Sequence, residues 1–377
     1  MATLNYLNTT HIEFGSRNMV ADTMKQLGIT RPMIVTDKGI VAAGILDKVR
    51  EAMGNEFSPE IFDDTPENPT EEATLAALAK YKDAGCDGII SLGGGSSMDL
   101  AKGLALLATH EGDLTKFAAI EGGGALIGDV APHIAMPTTA GTGSEVSVGS
   151  VIITKDGRKL IFASPNLLPK VALCDPDLTM GLPARLTAAT GMDAVTHCIE
   201  AVISPMDNPP AEAVGLDGLR RAVQLGHLEK AVADGQDKDA RYNMMMAASE
   251  GAMAFVKGLG AVHSMSHACG RIKELRLHHG TLNAVILPAV LRYNADFVGD
   301  KYDRIRDAMG LAAGADLAEA IEALNQRLGL PANLGEMGIS MDTPGIVENA
   351  TTDVCTFTNP RPLEAKDYET LFEMAIG

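Results

Sequence analysis

Apolar and polar residues follow two different rhythms along this chain, one in each half. In the first half, short apolar runs of strand type alternate with stretches of helical spacing. Met33-Ile34-Val35-Thr36 predicts a buried strand, followed by a helix around Val41–Met53. Glu60-Ile61-Phe62 predicts a second strand, and Glu71–Ala84 a helix with Ala and Leu on one side. Gly88-Ile89-Ile90-Ser91-Leu92 predicts a third strand that runs into glycines, and His133-Ile134-Ala135-Met136 a fourth. Val151–Thr154 and Leu160–Ala163 flank Lys155-Asp156-Gly157-Arg158 and predict a β-hairpin. Val171–Cys174 is a last strand, stopped by Asp175-Pro176. Such alternation predicts a mostly parallel sheet with helices on both faces.

After Leu182-Pro183 the strand signals fade and Ala/Met/Leu-rich helical spacing takes over. Helices are expected over 186–204, 212–233, 238–256, 259–270, 281–298 and 314–328. The reading is therefore an α/β, Rossmann-like dinucleotide-binding domain over 1–182 and an all-α metal-binding and substrate domain over 183–377. A chain of 377 residues is long enough for two such cores.

Composition narrows the partners. The formal net charge of −18 repels nucleic acid and acidic membrane surfaces. No stretch approaches the ~20 unbroken apolar residues of a membrane span. Met1–Tyr6 has neither a basic start nor an apolar run, so a cytoplasmic protein is expected. Five dispersed cysteines without a CxxC pair suit reduced thiols rather than a disulfide framework.

Two loops at strand ends carry candidate nucleotide chemistry. Gly93-Gly94-Gly95-Ser96-Ser97-Met98-Asp99 follows an apolar strand and opens a helix over Met98–Thr109. There the glycines let backbone N–H groups and the helix dipole approach a phosphate, although a tight strand-to-helix turn would look the same. Pro137-Thr138-Thr139-Ala140-Gly141-Thr142-Gly143-Ser144-Glu145 lies after the fourth strand, at the edge where open α/β sheets bind ligands; a solvated loop is the alternative. Asp37 ends the first strand, where a carboxylate accepts from ribose hydroxyls and repels a 2′-phosphate, favouring NAD over NADP; it also suits a helix N-cap.

The second half concentrates imidazoles. Asp193 and His197 stand four apart, His263 and His267 repeat that spacing, and His278-His279-Gly280 follows. Residues four apart share a helix face. Five of the nine histidines fall in these segments. A carboxylate with three imidazoles suits a borderline cation such as Fe²⁺ or Zn²⁺, and an open position would take a substrate oxygen. Singly, each is as readily a hydrogen-bonded pair or a core histidine. No HExxH is present, which disfavours a zinc protease.

Taken in order, these motifs resemble the iron-containing (group III) alcohol dehydrogenase family, within the dehydroquinate synthase-like fold. The likeness also includes Asn68-Pro69-Thr70, Asn283-Ala284-Val285-Ile286-Leu287-Pro288 and Asn359-Pro360-Arg361-Pro362, and it runs over nearly the whole chain. It implies metal ligation by Asp193, His197, His263 and His279, with His278 the alternative for the last. The spacing from His263 to the His before Gly is two residues longer than the family's common pattern, so a bulge over Arg271–Leu277 is expected. By the same resemblance, His267 is a non-ligand near substrate and nicotinamide and a candidate proton relay. Asp37, Gly94, Gly95, Ser96, Thr138, Thr139 and Thr142 match cofactor positions, Lys159 a lysine reaching the nucleotide ribose, and Phe255 a residue lining the substrate pocket. Val148 stands where many members carry a polar residue.

The implied activity is NAD- and metal-dependent oxidation of a small primary alcohol or ω-hydroxy acid, or the reverse aldehyde reduction, by a homo-oligomer of dimer size or larger. Arg271, Lys273 and Arg276 form a basic cluster in the lengthened loop that suits a carboxylated substrate. The alternatives are a cyclising lyase of the dehydroquinate synthase type and a non-catalytic nucleotide- or metal-binding protein.

Overall fold

Ile34, Ile90 and Ile134 stand in register on three adjacent strands, and all three are fully buried. They belong to a computed structural model that describes residues 8–377; the reading of Met1–Tyr6 falls outside it. Six parallel strands form the sheet: β1 Thr9–Ile12, β2 Pro32–Val35, β3 Glu60–Phe62, β4 Gly88–Gly93, β5 His133–Pro137 and, after a hairpin, β8 Val171–Cys174. Their spatial order is β1-β8-β5-β4-β2-β3. The hairpin pairs β6 Gly149–Ile153 with β7 Lys159–Ala163 antiparallel.

Alternate residues serve opposite faces, as the pleat requires. Ile34, Ile90, Leu92, Ile134 and Met136 pack under α1 (Val20–Leu27) and α3 (Ile45–Met53). Met33, Val35 and Ile89 pack under α4 (Glu71–Asp83) and α5 (Gly95–Thr109). Both faces are thus dry, which explains the near-continuous apolar strands. The edge strand β1, Thr-Thr-His-Ile, carries no apolar run and was not expected. The helix expected over 41–53 is two, α2 Lys38–Ala42 and α3, separated at Gly44 with φ 70°. The helix expected from Met98 begins at Gly95, because glycine and serine residues extend its first turn.

The second unit comprises 182–377 together with 140–143. Its helices are α6 Ala184–Ile203, α7 Pro209–Leu219, α8 His227–Ala233, α9 Lys238–Ala254, α10 Ala261–Cys269, α11 His279–Asn294, α12 Lys301–Met309, α13 Leu317–Arg327, α14 Ile346–Thr351 and α15 Ala365–Ile376. The helix expected over 212–233 is broken by a π-turn at Arg220–Gln224 and by Gly226 with φ 70°. Helices α12, α14 and α15 were not expected. Every residue of α6 from Thr187 to Ile203 is buried. It is a central helix, and glycines let its neighbours approach. A Cβ on Gly280 would lie 2.2 Å from the Ala189 carbonyl oxygen, and one on Gly251 3.1 Å from that of Ala194. No helix among the described residues is long and apolar enough to cross a membrane.

Candidate functional site: a sheet edge and a carboxylate–imidazole cage

From β2 the chain goes outward to β3, then returns to place β4 on the other side of β2. That reversal opens a crevice at the carboxyl ends of β2 and β4, the position where such sheets take ligands. Asp37 follows β2 and caps α2, accepting from the Ile40 N–H at 3.0 Å. Gly94 is the N-cap of α5 and offers no side-chain acceptor, and the first turn carries no acidic residue. The first N–H groups of this 15-residue helix, from Gly95 onward, therefore have no side-chain acceptor at the cap and suit an anion.

Thr138 donates its N–H to the Gly93 carbonyl at 3.0 Å, while its buried hydroxyl has no partner among the described residues. A buried orphan hydroxyl at a sheet's ligand edge is the kind of group a bound molecule satisfies. Half-buried Thr139 lies 3.3 Å from where a Gly94 Cβ would stand. The Ser96 hydroxyl is engaged, donating to the Glu67 carbonyl. Half-buried Lys159 donates to Asn68 Oδ1 at 3.2 Å, so it is not a solvated hairpin lysine. Val148, half-buried, accepts from Ser164 N through its carbonyl. Thr142 belongs to the 140–143 segment of the helical unit.

Sequence reading missed the brace beneath this edge. Lys102, fully buried, donates to Ser144 Oγ at 2.9 Å and to the carbonyls of Ser147 and Gly149 at 2.8 and 2.6 Å. Asp99 accepts from the same hydroxyl at 2.7 Å and from Val151 N at 3.0 Å. Burial lowers Lys102 to about 8 despite the nearby Asp99 and Glu145 carboxylates.

In the helical unit, Asp193 and His197 project from adjacent turns of α6, His263 from α10 and His279 from the first residue of α11. Their donor atoms converge. Asp193 Oδ1 lies 3.7 Å from His197 Nε2, 3.9 Å from His263 Nε2 and 3.7 Å from His279 Nε2. Asp193, His197 and His263 offer ligand atoms that all lie within 4.8 Å of one another, a group that could hold a metal ion, and His279 adds its Nε2 at 3.7 Å from the same carboxylate oxygen. His197 is driven to about 4, first by burial, and stays neutral with a lone pair to give. The Phe255 ring meets its edge at 5.0 Å between centroids. In the 270–278 segment Arg276 takes the left-handed region at φ 46°. The segment leaves His278 exposed ahead of α11 and brings His279 to the cage.

Glu200, Ser266 and Asp353 complete the arrangement, and sequence reading named none of their roles. Glu200 Oε2 accepts from His263 Nδ1 at 2.5 Å, while its other oxygen takes the Val262 N–H at 2.8 Å. That contact fixes the tautomer and leaves Nε2 as the inward lone pair. Ser266 Oγ holds His279 Nδ1 at 2.8 Å. His267 is outside the cage: its ring stacks on His279 at 5.4 Å, and its Nδ1 bonds Asp353 Oδ2 at 2.9 Å. Burial opposes charge on Asp353, but His267 and the Cys355 N–H outweigh it and lower its pKa. Glu200 could have been suspected, since it falls seven residues after Asp193 on the same helix. Arg271 Nη1 bonds Asn349 Oδ1 at 2.5 Å, Arg276 is exposed, and the Lys273 side chain lies outside the description.

A doubly wound sheet unit followed by a helical unit with a carboxylate–imidazole cage defines a class of nucleotide- and metal-using enzyme. Comparison with known proteins gives the family. The model described as iron-containing alcohol dehydrogenase matches residues 8–176, and that of the Fe-containing alcohol dehydrogenase family, C-terminal, matches 187–376. A 4-hydroxybutyrate dehydrogenase of Cupriavidus necator is 53% identical over 100% of both chains. An NAD-dependent methanol dehydrogenase of Bacillus methanolicus is 33% identical over 96% of each. The solved structure of a 1,3-propanediol oxidoreductase superposes with a TM-score of 0.91 at 34% identity, covering 99% of this chain and 100% of that one. This chain belongs to the iron-containing alcohol dehydrogenase family and is an oxidoreductase of the alcohol dehydrogenase type.

Proposed function

We propose that the chain interconverts a short ω-hydroxy acid and its semialdehyde, using NAD and a divalent cation, Fe²⁺ or Zn²⁺, held by Asp193, His197, His263 and His279. The carrying observation is the convergence of three imidazole Nε2 atoms to within 3.9 Å of one buried carboxylate oxygen. When bound, the cation supplies Lewis acidity to the substrate oxygen and the nicotinamide supplies the hydride acceptor. On the sheet unit, the α5 N-terminus at Gly94–Ser96 takes the pyrophosphate, Thr138 and Thr139 line the same cofactor, Lys159 reaches towards a ribose, and Asp37 disfavours a 2′-phosphate. With Nδ1 committed to Asp353, His267 offers Nε2 to the proton leaving the hydroxyl. Phe255 walls the substrate pocket. A cytoplasmic homo-oligomer is part of the proposal, and sizing in solution checks the assembly.

The acid is favoured by the 53% identity to a 4-hydroxybutyrate dehydrogenase and by Arg271. Arg271 lies two residues beyond the end of α10, whose last turn carries His267, and its guanidinium is held by Asn349. The test is NADH formation with 4-hydroxybutyrate, 1,4-butanediol and 1-butanol. The acid should have the highest kcat/KM. Arg271→Ala should raise its KM roughly 10–100-fold, the scale of a lost charged hydrogen bond, and leave 1-butanol nearly unchanged. Equal use of all three compounds would refute the acid; no NADH with any would refute the dehydrogenase.

A further inference from the structure

Asn283 stands one turn after His279 on α11 and is completely buried. Its amide nitrogen lies 2.7 Å from Asp193 Oδ1, 3.2 Å from His263 Nε2 and 3.1 Å from His279 Nε2. Its amide oxygen has no hydrogen-bond partner among the described residues. The amide is therefore oriented from one side only. An NH₂ group has two hydrogens, and here it faces three acceptors, the shortest contact being to the carboxylate. Turned over, the amide would press its oxygen against a carboxylate oxygen and two ring lone pairs, all of them electron-rich.

We infer that Asn283 is a positioning residue for Asp193: its N–H fixes the carboxylate in the rotamer that aims Oδ1 between the three imidazoles. The reasons are physical. A carboxylate on a helix has several rotamers, and only one brings its oxygen to the common point of His197, His263 and His279. Glu200 and Ser266 orient two of the imidazoles through their outer nitrogens, so the carboxylate needs an orienting donor of its own. A carboxylate oxygen has lone pairs enough to accept this N–H and also face a cation. Before a cation arrives, the positive end of the amide dipole also offsets the mutual repulsion of the converging lone pairs. Helix spacing sets this up, because His279 and Asn283 share a face of α11 and bring the third imidazole and the orienting amide to the cage together.

This rests on the reading that the cage holds a divalent cation, and the test separates the two. The full-length chain is stripped with chelator and titrated with Co²⁺, followed by visible absorption and by melting temperature. The parent should bind one Co²⁺ per chain; no binding would refute the cage itself. Asn283→Leu, close in volume and a good helix former, and Asn283→Ala should each raise the Co²⁺ dissociation constant roughly 10–100-fold and alter the band shape. The rise in melting temperature on adding Co²⁺ should shrink in both. A residue that only packs would lower the melting temperature equally with and without Co²⁺. If either variant folds with a dissociation constant within about twofold of the parent's and the same bands, Asn283 does not position Asp193. Should the Leu variant fail to fold, the Ala variant decides.

Discussion

His133 shows how one buried side chain ties stability to pH. It sits in β5 with Nε2 bonded to Ser91 Oγ at 2.7 Å and Nδ1 without a partner among the described residues. Burial, and then the nearby Lys102, lower it from 6.5 to about 3. The native protein therefore keeps it neutral, whereas the unfolded chain protonates it below about 6.5. Its contribution is complete above that pH and declines as pH falls towards 3, at roughly 1.4 kcal/mol per pH unit for one proton. Urea midpoints between pH 7 and 4.5 should show His133→Asn with a pH slope shallower by about one proton than the parent's. At this scale i,i+4 spacing marked Asp193, His197 and His263 as candidates, whereas His279 followed only from the family likeness, and His267, paired with His263 by the same spacing, bonds Asp353 outside the cage. That spacing gave no sign that His133 would be inside, since a single histidine in an apolar strand carries no mark of its partner. Glu200 and Asp353 stayed hidden for the same reason: their partners lie 63 and 86 residues away.

At the level of elements, the cage depends on how closely three helices approach. Gly280 follows His279 and faces α6, where an added Cβ would meet Ala189 O at 2.2 Å and Asp193 Cβ at 3.2 Å. Backbone cannot yield as a flexible side chain can, so α11 must move and take His279 with it. Gly280→Ala should cost ~1–3 kcal/mol, an overpacking effect, and lower metal content, read by denaturant unfolding and metal analysis. Gly181→Ala, with nothing within 4 Å, is the control and should be nearly neutral. Apolar spacing indicated the helix around Met192 and the pair on α10, but not α12, α14 or α15. Of these, α12 and α15 do carry an apolar face (Tyr302, Ile305 and Met309; Tyr368, Leu371, Phe372 and Ala375), while α14 has six residues, too few to show a period. The break in the helix expected over 212–233 arises at a π-turn and at Gly226, which a summed apolar pattern smooths over.

For the whole molecule, a ligand bound only by the native state adds stability by mass action. A cation at 100 times its dissociation constant contributes about 2.7 kcal/mol. Chelation should lower the melting temperature of metal-loaded protein, and returning Zn²⁺ or Fe²⁺ should restore it; no shift in calorimetry would show that the cage holds no structural share of the metal. Taken alone, the sequence determined two regions of different rhythm, dry strands in the first, the paired Asp193/His197 and His263/His267 faces, and the family likeness of their order. These are written in short-range periodicity, which records which face of an element is apolar or polar. Only the tertiary structure decided the strand order, the placing of His279 Nε2 3.7 Å from Asp193 Oδ1, the transfer of 140–143 to the helical unit, and the contacts of Asn283 and Glu200. Each of those turns on how near two distant backbones can come, and periodicity does not record a partner.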